Sequence, residues 1–298
     1  MDIATPNRSL FPALIWWLIL PLVAIAILTF GPALHINNDV DTILTLVAGF
    51  VFIVGHGAIA LGWRNIIAFV VITFVISFAS EAIGVATGLV FGPYHYTDLL
   101  GPKLLGVPPM IQVGYVGVGY ASMIMGRIIL GLRPIRGWMI LAAAFVGAFI
   151  MVSWDVAMDP YQSTASGDWI WHTGGPYFGV PLHNYAGWFG TVFVFMLVYY
   201  VFAQYFPEEP RPASARDRTV LWSLPIFYYA LTALAIVLTP IIGGVSLPYA
   251  SPANYTGSLQ ALEGSLSLVA LFVMGGPVIF SFFRLFANAH VEDSSAFP

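Results

Sequence analysis

The chain has 298 residues, of which 59% are hydrophobic and only 8% charged, with a formal net charge of −4. A soluble domain carries about 25% charged residues, so this composition indicates an integral membrane protein. The sequence has no basic patch for nucleic acid, and the absence of cysteine excludes disulfides, thiolate catalysis and cysteine-ligated metals.

Eight apolar runs are long enough to cross a hydrocarbon core of about 30 Å. They lie near residues 10–30, 42–62, 65–90, 110–131, 135–154, 186–206, 220–242 and 260–286. The sequence therefore predicts an all-α, polytopic membrane protein with about eight transmembrane helices. The first run lacks a clear small-residue cleavage site, so we interpret it as a retained helix and not as a signal peptide.

The basic residues orient these helices, because cytoplasmic loops hold the excess of Lys and Arg. With a cytoplasmic N-terminus, only Lys103 falls outside. The residues at cytoplasmic ends are then Arg8, Arg64, Arg127, Arg133, Arg136, Arg211, Arg216, Arg218 and Arg284. We expect both termini in the cytoplasm and the protein in the cell membrane.

Two long connections, 91–109 and 155–185, face the outside on this topology, and long ordered loops often carry function. Both contain a Gly-Pro-Tyr and a Gly-Val-Pro sequence, as expected if helices 3–4 and 5–6 were a duplicated pair, although the spacings differ. The charged, proline-rich segment 207–218 predicts a cytoplasmic linker. It would separate residues 1–206, which hold six helices and an outer-loop active site, from helices 7–8 and the tail in 219–298.

Glu81 is an acid inside the third apolar run. It shares a helical face with Gly84 and Gly88, whose small size would let another helix approach closely, so Glu81 should point into the bundle. A charged carboxylate without a nearby cation would cost several kcal/mol there, so we expect a protonated acid. The alternative is a structural role, in which a neutral glutamic acid donates a hydrogen bond to a backbone carbonyl.

Asp155 and Asp159 form a second acidic site at the end of the fifth run. Their spacing places both carboxylates on one helical face, and Pro160 predicts that Asp159 is the last helical residue. The helix C-terminus and the neighbouring like charge both disfavour two anions, so we expect one shared proton. Two ordinary acids at a solvated helix end are the alternative.

Aromatic and polar residues surround these acids in the sequence: Tyr94, His95, Tyr96, Trp169, Trp171, Tyr177, Asn184, Tyr185 and Trp188. About half of them would serve as ordinary interfacial anchors, and the others would line a pocket whose aromatic faces stabilise a cation. No metal-binding spacing connects the histidines, so no metal is expected. His56 and Glu263 are interpreted as structural residues.

These residues allow several functional classes to be compared. A retinal protein needs an intramembrane lysine, and the only lysine is Lys103 in a loop. An intramembrane prenyltransferase would use Asp155 and Asp159, but a second acidic motif and nearby basic residues are missing. A proton-coupled transporter also uses buried acids, and it would need broken helices in both halves. The prenyltransferase and the transporter remain open as alternatives.

The sequence from Glu81 through Phe91-Gly92-Pro93-Tyr94-His95-Tyr96 to the segment 175–188 resembles a known family. That family is the membrane carotenoid biosynthesis proteins, which include CruF-type carotenoid 1,2-hydratases and bisanhydrobacterioruberin hydratases. The resemblance covers residues 80–190. It implies a lyase that adds water to the terminal double bond of an acyclic carotenoid, with no organic cofactor, in the lipid bilayer and in association with other carotenoid biosynthesis enzymes.

Such a hydration needs a proton donor in a dry site and a base that takes a proton from the attacking water. We assign Glu81 as the donor and Asp155, with Asp159, as the base, and the reverse assignment stays open. Tyr94, Trp171 and Trp188 are candidates for stabilising the cation, while His95 and Asn184 would position water. Tyr96 and Tyr177 complete the predicted substrate site. The carotenoid would enter laterally from lipid.

Overall fold

The computed structural model of the protein describes residues 10–30, 38–132, 135–206, 215–242 and 255–295. Within these ranges the chain is almost entirely helical. The helices are α1 (Leu10–Phe30), α2 (Asn38–Ala60), α3 (Trp63–Thr87), α4 (Ile111–Ile129), α5 (Trp138–Tyr161), α6 (Leu182–Ala203), α7 (Ala215–Ile242), α8 (Leu259–Val269) and α9 (Gly275–Ser295). A π-helical turn, Ala270–Met274, joins α8 to α9, so the two correspond to the single eighth apolar run.

The membrane-protein class and the all-α fold are confirmed. Five helical stretches of the described residues are long and apolar enough to span a membrane, namely 63–87, 138–166, 182–203, 216–241 and 259–287. Shorter apolar stretches occupy 17–29 and 44–60. The number of eight spans and the location of the termini stay predictions, and most of the predicted linker, residues 207–214, lies outside the described residues.

Helix α4 lies in the centre of the bundle and is buried along most of its length. Its glycines allow close contacts with neighbouring helices: a Cβ atom added at Gly126 would lie 3.3 Å from the backbone nitrogen of Gly147 in α5. Small residues at such crossings let helices gain van der Waals contact where lipid supplies no hydrophobic driving force. The small and polar residues of α4 therefore suit a position that is surrounded by protein.

Two short strands lie at the end of the bundle that carries residues 88–110 and 162–181, which we call the outer end. Strand β1 (Tyr94–Tyr96) follows α3, and β2 (Trp169–Trp171) follows α5. They pair antiparallel with Tyr94 opposite Trp171 and Tyr96 opposite Trp169. Successive residues of a strand face opposite sides. The four aromatic residues consequently share one face, and His95 and Ile170 share the other.

The two outer segments also contain the same tight turn. Leu105 and Gly106 both have positive φ, of 50° and 81°, and Phe178 and Gly179 repeat this with 49° and 88°. Positive φ at both central residues is the signature of a type I′ turn, which glycine adopts readily. The order helix, strand, turn, helix therefore occurs twice, in α3–α4 and in α5–α6.

Candidate active site

Glu81 lies near the outer end of α3 and is only 2% exposed. The helix ends at Gly88, which has a φ of 70° and lies against Pro93, so the chain turns back over the last turns of α3. A Cβ atom at Gly84 would lie 2.7 Å from the Phe91 ring. The small residues next to Glu81 thus make room for the segment leading to β1, where the sequence predicted a neighbouring helix.

Three tyrosine hydroxyls donate hydrogen bonds to the Glu81 carboxyl group. Tyr94 and Tyr96 of β1 both reach Oε2, the latter at 2.9 Å, and Tyr115 of α4 reaches Oε1 at 2.7 Å. Burial, followed by the nearby Glu81 charge, raises the pKa of the Tyr94 and Tyr96 hydroxyls. These phenols therefore keep their protons and act as donors. A carboxylate can accept all three bonds at once.

Asp155 and Asp159 are both completely or almost completely buried, and both contact the amide of Asn184 in α6. Asn184 Nδ2 donates to Asp159 Oδ2 at 2.6 Å and to Asp155 Oδ2 at 3.2 Å. Trp169 Nε1 of β2 donates to Asp159 Oδ1 at 2.8 Å. Asp155 Oδ1 has no hydrogen-bond partner among the described residues. The predicted sharing of one helical face is therefore found, with one amide bridging the pair.

Helix α5 continues past Pro160, where the sequence predicted its end at Asp159. It runs to Tyr161 and then forms a π-helical turn, Gln162–Ser166, that stops at Gly167. Proline lacks an N–H group, which leaves the carbonyl of Val156 without its intrahelical donor. The Tyr177 hydroxyl donates to that carbonyl at 3.1 Å. A side chain from the second outer segment thus allows the helix to pass the proline.

Most of these residues line one cavity of about 740 Å³ at the outer end. Such a volume is typical of small-molecule sites. Seven of the ten predicted site residues contribute to it, and the three others, Asp155, His95 and Tyr177, do not. The seven are Glu81, Tyr94, Tyr96, Asp159, Trp171, Asn184 and Trp188.

The three remaining residues have other positions. Asp155 lies behind Asp159 and shares Asn184 with it. His95 is exposed on the opposite face of β1, where its Nδ1 lies 2.7 Å from Nε2 of His172. Tyr177 bonds to α5 as described above. The structure therefore does not bring His95 to the place where it would position water for the cavity.

The cavity residues that the sequence missed include Tyr115, Trp154 and Asp168. Tyr115 and Trp154 lie within apolar helices, and nothing local marks them as facing a site. Asp168 lies directly before β2, and burial raises its pKa to about 6. Asp168 stands next to Trp169 in an outer segment, and this position was the sequence signal that could have identified it.

The cavity wall is rich in aromatic rings. Tyr115 stacks on Trp188 with ring centroids 4.4 Å apart, and Tyr94 lies 4.9 Å from Trp171. Ring faces carry negative electrostatic potential and attract cations. Among the described residues that line this cavity there is no lysine or arginine, and no group of three His, Asp or Glu residues in the described chain is arranged to hold a metal ion.

Comparison with known proteins identifies the family of this chain. The family described as "Carotenoid biosynthesis protein" matches residues 41–251, which include the entire site. The chain belongs to this family. It is also 30% identical to the bisanhydrobacterioruberin hydratase of Haloarcula japonica over 162 residues, which are 54% of this chain and 51% of that protein.

The chain thus spans about half the length of the curated relative that it matches. No solved structure matches it. The family resemblance that the sequence indicated is confirmed, and the protein is a membrane carotenoid biosynthesis protein.

Proposed function

We propose that the protein is a carotenoid 1,2-hydratase, a hydro-lyase that adds water to the terminal double bond of an acyclic carotenoid end group and forms a tertiary alcohol. The observation that carries this proposal is the pair of acidic sites facing one aromatic cavity, each with different hydrogen-bond donors. The hydratase name of the Haloarcula relative supports the same reaction type.

The hydrogen bonds favour Asp159, backed by Asp155, as the proton donor and Glu81 as the base. Three phenol donors satisfy Glu81 as a carboxylate. Asp159 accepts hydrogen bonds from Asn184 and Trp169, whereas Asp155 shares the Asn184 amide and has one oxygen without a partner among the described residues. A shared proton relieves the repulsion of two buried like charges. This is the reverse of the assignment preferred from the sequence.

The reaction then proceeds in two steps. Asp159 transfers a proton to the less substituted alkene carbon, and the π electrons form the new C–H bond, which leaves a tertiary cation. A water oxygen forms the C–O bond to that cation, and its excess proton passes to Glu81. Cavity water returns the proton from Glu81 to the aspartate pair. The rings of Trp171, Trp188 and Tyr94 stabilise the cation without reacting with it.

The cavity lining argues against prenyl transfer. A diphosphate needs divalent metal and basic side chains to neutralise its charge. No Lys or Arg is present among the described lining residues. A carbocation from an uncharged alkene needs neither, so the lining suits hydration better.

Purified protein in nanodiscs tests the proposal directly. With lycopene, excess chelator and oxygen-18 water, we expect an alcohol whose hydroxyl carries the label. Strict dependence on added magnesium, a longer isoprenoid product, or a hydroxyl oxygen from molecular oxygen would refute hydration. Uptake of carotenoid without chemical change would instead favour the transporter alternative.

A further inference from the structure

A second, smaller cavity adjoins the first at the outer end. Its volume is about 360 Å³, and its lining is entirely apolar: Leu46, Val47, Leu100, Pro102, Pro109 and Met110. Leu46, Leu100 and Met110 also line the larger cavity. The shared residues make the two spaces neighbours, and we call the apolar space between α2 and the segment 98–110 the passage.

The far end of this passage lies at a surface of the bundle that suits lipid. Val47 is 53% exposed, and Val51, one turn further along α2, is 56% exposed. Residues four positions apart lie on the same helical face. Exposed valines on a helix of an integral membrane protein face hydrocarbon and not water. The passage therefore lies between the catalytic cavity and the lipid side of α2.

The segment 98–110, which lines the passage with Leu100, Pro102, Pro109 and Met110, also carries exposed leucines. Leu99, Leu104 and Leu105 are between 58% and 71% exposed. Lys103 fixes the base of this segment, because its Nζ donates to the Tyr96 carbonyl and to Asp98 Oδ1, both at 2.8 Å. Tyr96 in turn bonds to Glu81. The apolar edge of the passage is thus tied to the strand that forms the catalytic wall.

We infer that this passage is the route by which the polyene chain of a carotenoid enters from the bilayer. The inference rests on the proposed function. A conjugated chain is stiff and cannot fold into the 740 Å³ cavity. Only the end group therefore reaches Asp159 and Glu81, while the remainder of the chain lies in the passage and in lipid, and one end is processed at a time.

Blocking variants test the route. The junction variants are Val47→Trp and Pro102→Trp, at residues that line only the smaller cavity, and Ile279→Trp adds the same bulk on the exposed surface of α9, outside both cavities. We expect the junction variants to hydrate lycopene at least about tenfold more slowly, as for other misplaced substrates. They should hydrate a short acyclic isoprenoid with the same end group at near the parent rate. Ile279→Trp should leave both rates unchanged.

Photo-crosslinking supplies a readout that does not depend on activity or on the folding of the blocking variants. Benzoylphenylalanine in place of Val47 should capture a carotenoid in nanodiscs, and the same group in place of Ile279, on the exposed surface of α9, should capture much less. Equal capture at both positions, or junction variants with full lycopene activity, would overturn the route. Strong capture at position 47 together with no hydration by the parent protein would keep the route and refute the hydratase.

Discussion

At the scale of single residues, the two acidic sites differ in what surrounds them. Glu81 receives three hydroxyl donors, whereas Asp155 and Asp159 share the Asn184 amide and Asp159 also accepts from the Trp169 indole. Hydrogen bonds to a carboxylate favour its charged form, and closely spaced like charges favour protonation. The neighbours therefore divide the roles of base and acid between chemically similar groups.

Neutralising either site should stop hydration while the protein stays folded. We expect Glu81→Gln and Asp159→Asn each to lower the rate by about 10²–10⁴-fold, because an amide keeps the shape but cannot exchange the proton. Glu263→Gln is the matched control, since Glu263 lies in α8 and does not line the cavity, and it should retain the parent rate. Product analysis by mass checks this, and normal activity in either site variant would remove that residue from the mechanism.

Infrared spectroscopy can separate the two roles. If the aspartate pair holds the proton, Asp155→Asn should remove or shift the C=O stretch of a protonated carboxylic acid. Glu81→Gln should leave that band in place, because Glu81 is a carboxylate in this assignment. Loss of the band in Glu81→Gln alone would restore Glu81 as the donor.

Asp168 should make stability depend on pH. Its folded pKa of about 6 lies above the unfolded value of about 3.9, so between these values the folded chain binds the extra proton and its stability falls as pH rises. Asp168→Asn removes this pH-dependent loss of folding stability. We expect its gain in Tm over the parent protein to be larger at pH 7.5 than at pH 4.5.

The matched control for this pH effect is Asp98→Asn. Asp98 is exposed, and its bond to Lys103 lowers its pKa, so its replacement should give no such gain. A Tm difference for Asp168→Asn that does not change with pH would contradict the assigned titration.

Some of these site residues can be identified from the sequence more readily than others. Glu81, Asp155 and Asp159 could be identified as acids in apolar runs, and Tyr94 and Tyr96 as their aromatic companions. The strand period also places His95 on the opposite face, but three residues in a loop are too few to identify a strand beforehand. Tyr115 reaches Glu81 from a different helix, 34 residues away, a contact that only the packing of α3 against α4 defines.

At the scale of elements, two helices pass a proline with help from a distant side chain. Tyr177 donates to the Val156 carbonyl that Pro160 leaves without a partner. In α7, Pro225 likewise leaves the carbonyl of Leu221 without its intrahelical donor. His56 Nε2 lies 2.9 Å from that carbonyl oxygen. Helix boundaries estimated from apolar runs and prolines miss this, which is why α5 extends further than predicted.

Tyr177→Phe should destabilise α5 at Pro160. It leaves a carbonyl without a donor, at a cost of about 1–3 kcal/mol. Pro160→Ala restores the backbone N–H, so the double variant should recover most of the loss. Unfolding in detergent measures this cycle, and additive effects of the two substitutions would show that the hydroxyl does not serve the helix.

At the scale of the whole molecule, the acids of the candidate site and the described arginines of α4 and α9 lie at opposite ends. A cavity of about 250 Å³ away from the acidic sites is lined by Arg127, Arg136 and Asn65. Arg284 packs on Gly131, close to the end of α4 that bears Arg127. This separation agrees with the orientation that places the arginines at the cytoplasmic surface.

Reporter fusions test that orientation. We expect fusions after Gly101 and after Ser166 to report the outside and a fusion after Ala213 to report the cytoplasm. These positions fall in the two outer segments and in the predicted linker, so the three together sample both surfaces. Two reversed results would refute the eight-helix topology.

The repeated order of helix, strand, turn and helix has a consequence for the direction of proton flow. Each unit brings an acid from its first helix and a donor from its own strand, Tyr94 for Glu81 and Trp169 for Asp159. The two units thus form two half-sites with the same order of elements and the same tight turn. Which acid gives the proton and which receives it then depends on the neighbouring side chains. These are phenols beside Glu81, and an amide and an indole beside Asp159. Removing phenols from Glu81 while adding donors to the aspartates would reverse which wall of the cavity gives the proton and which receives it.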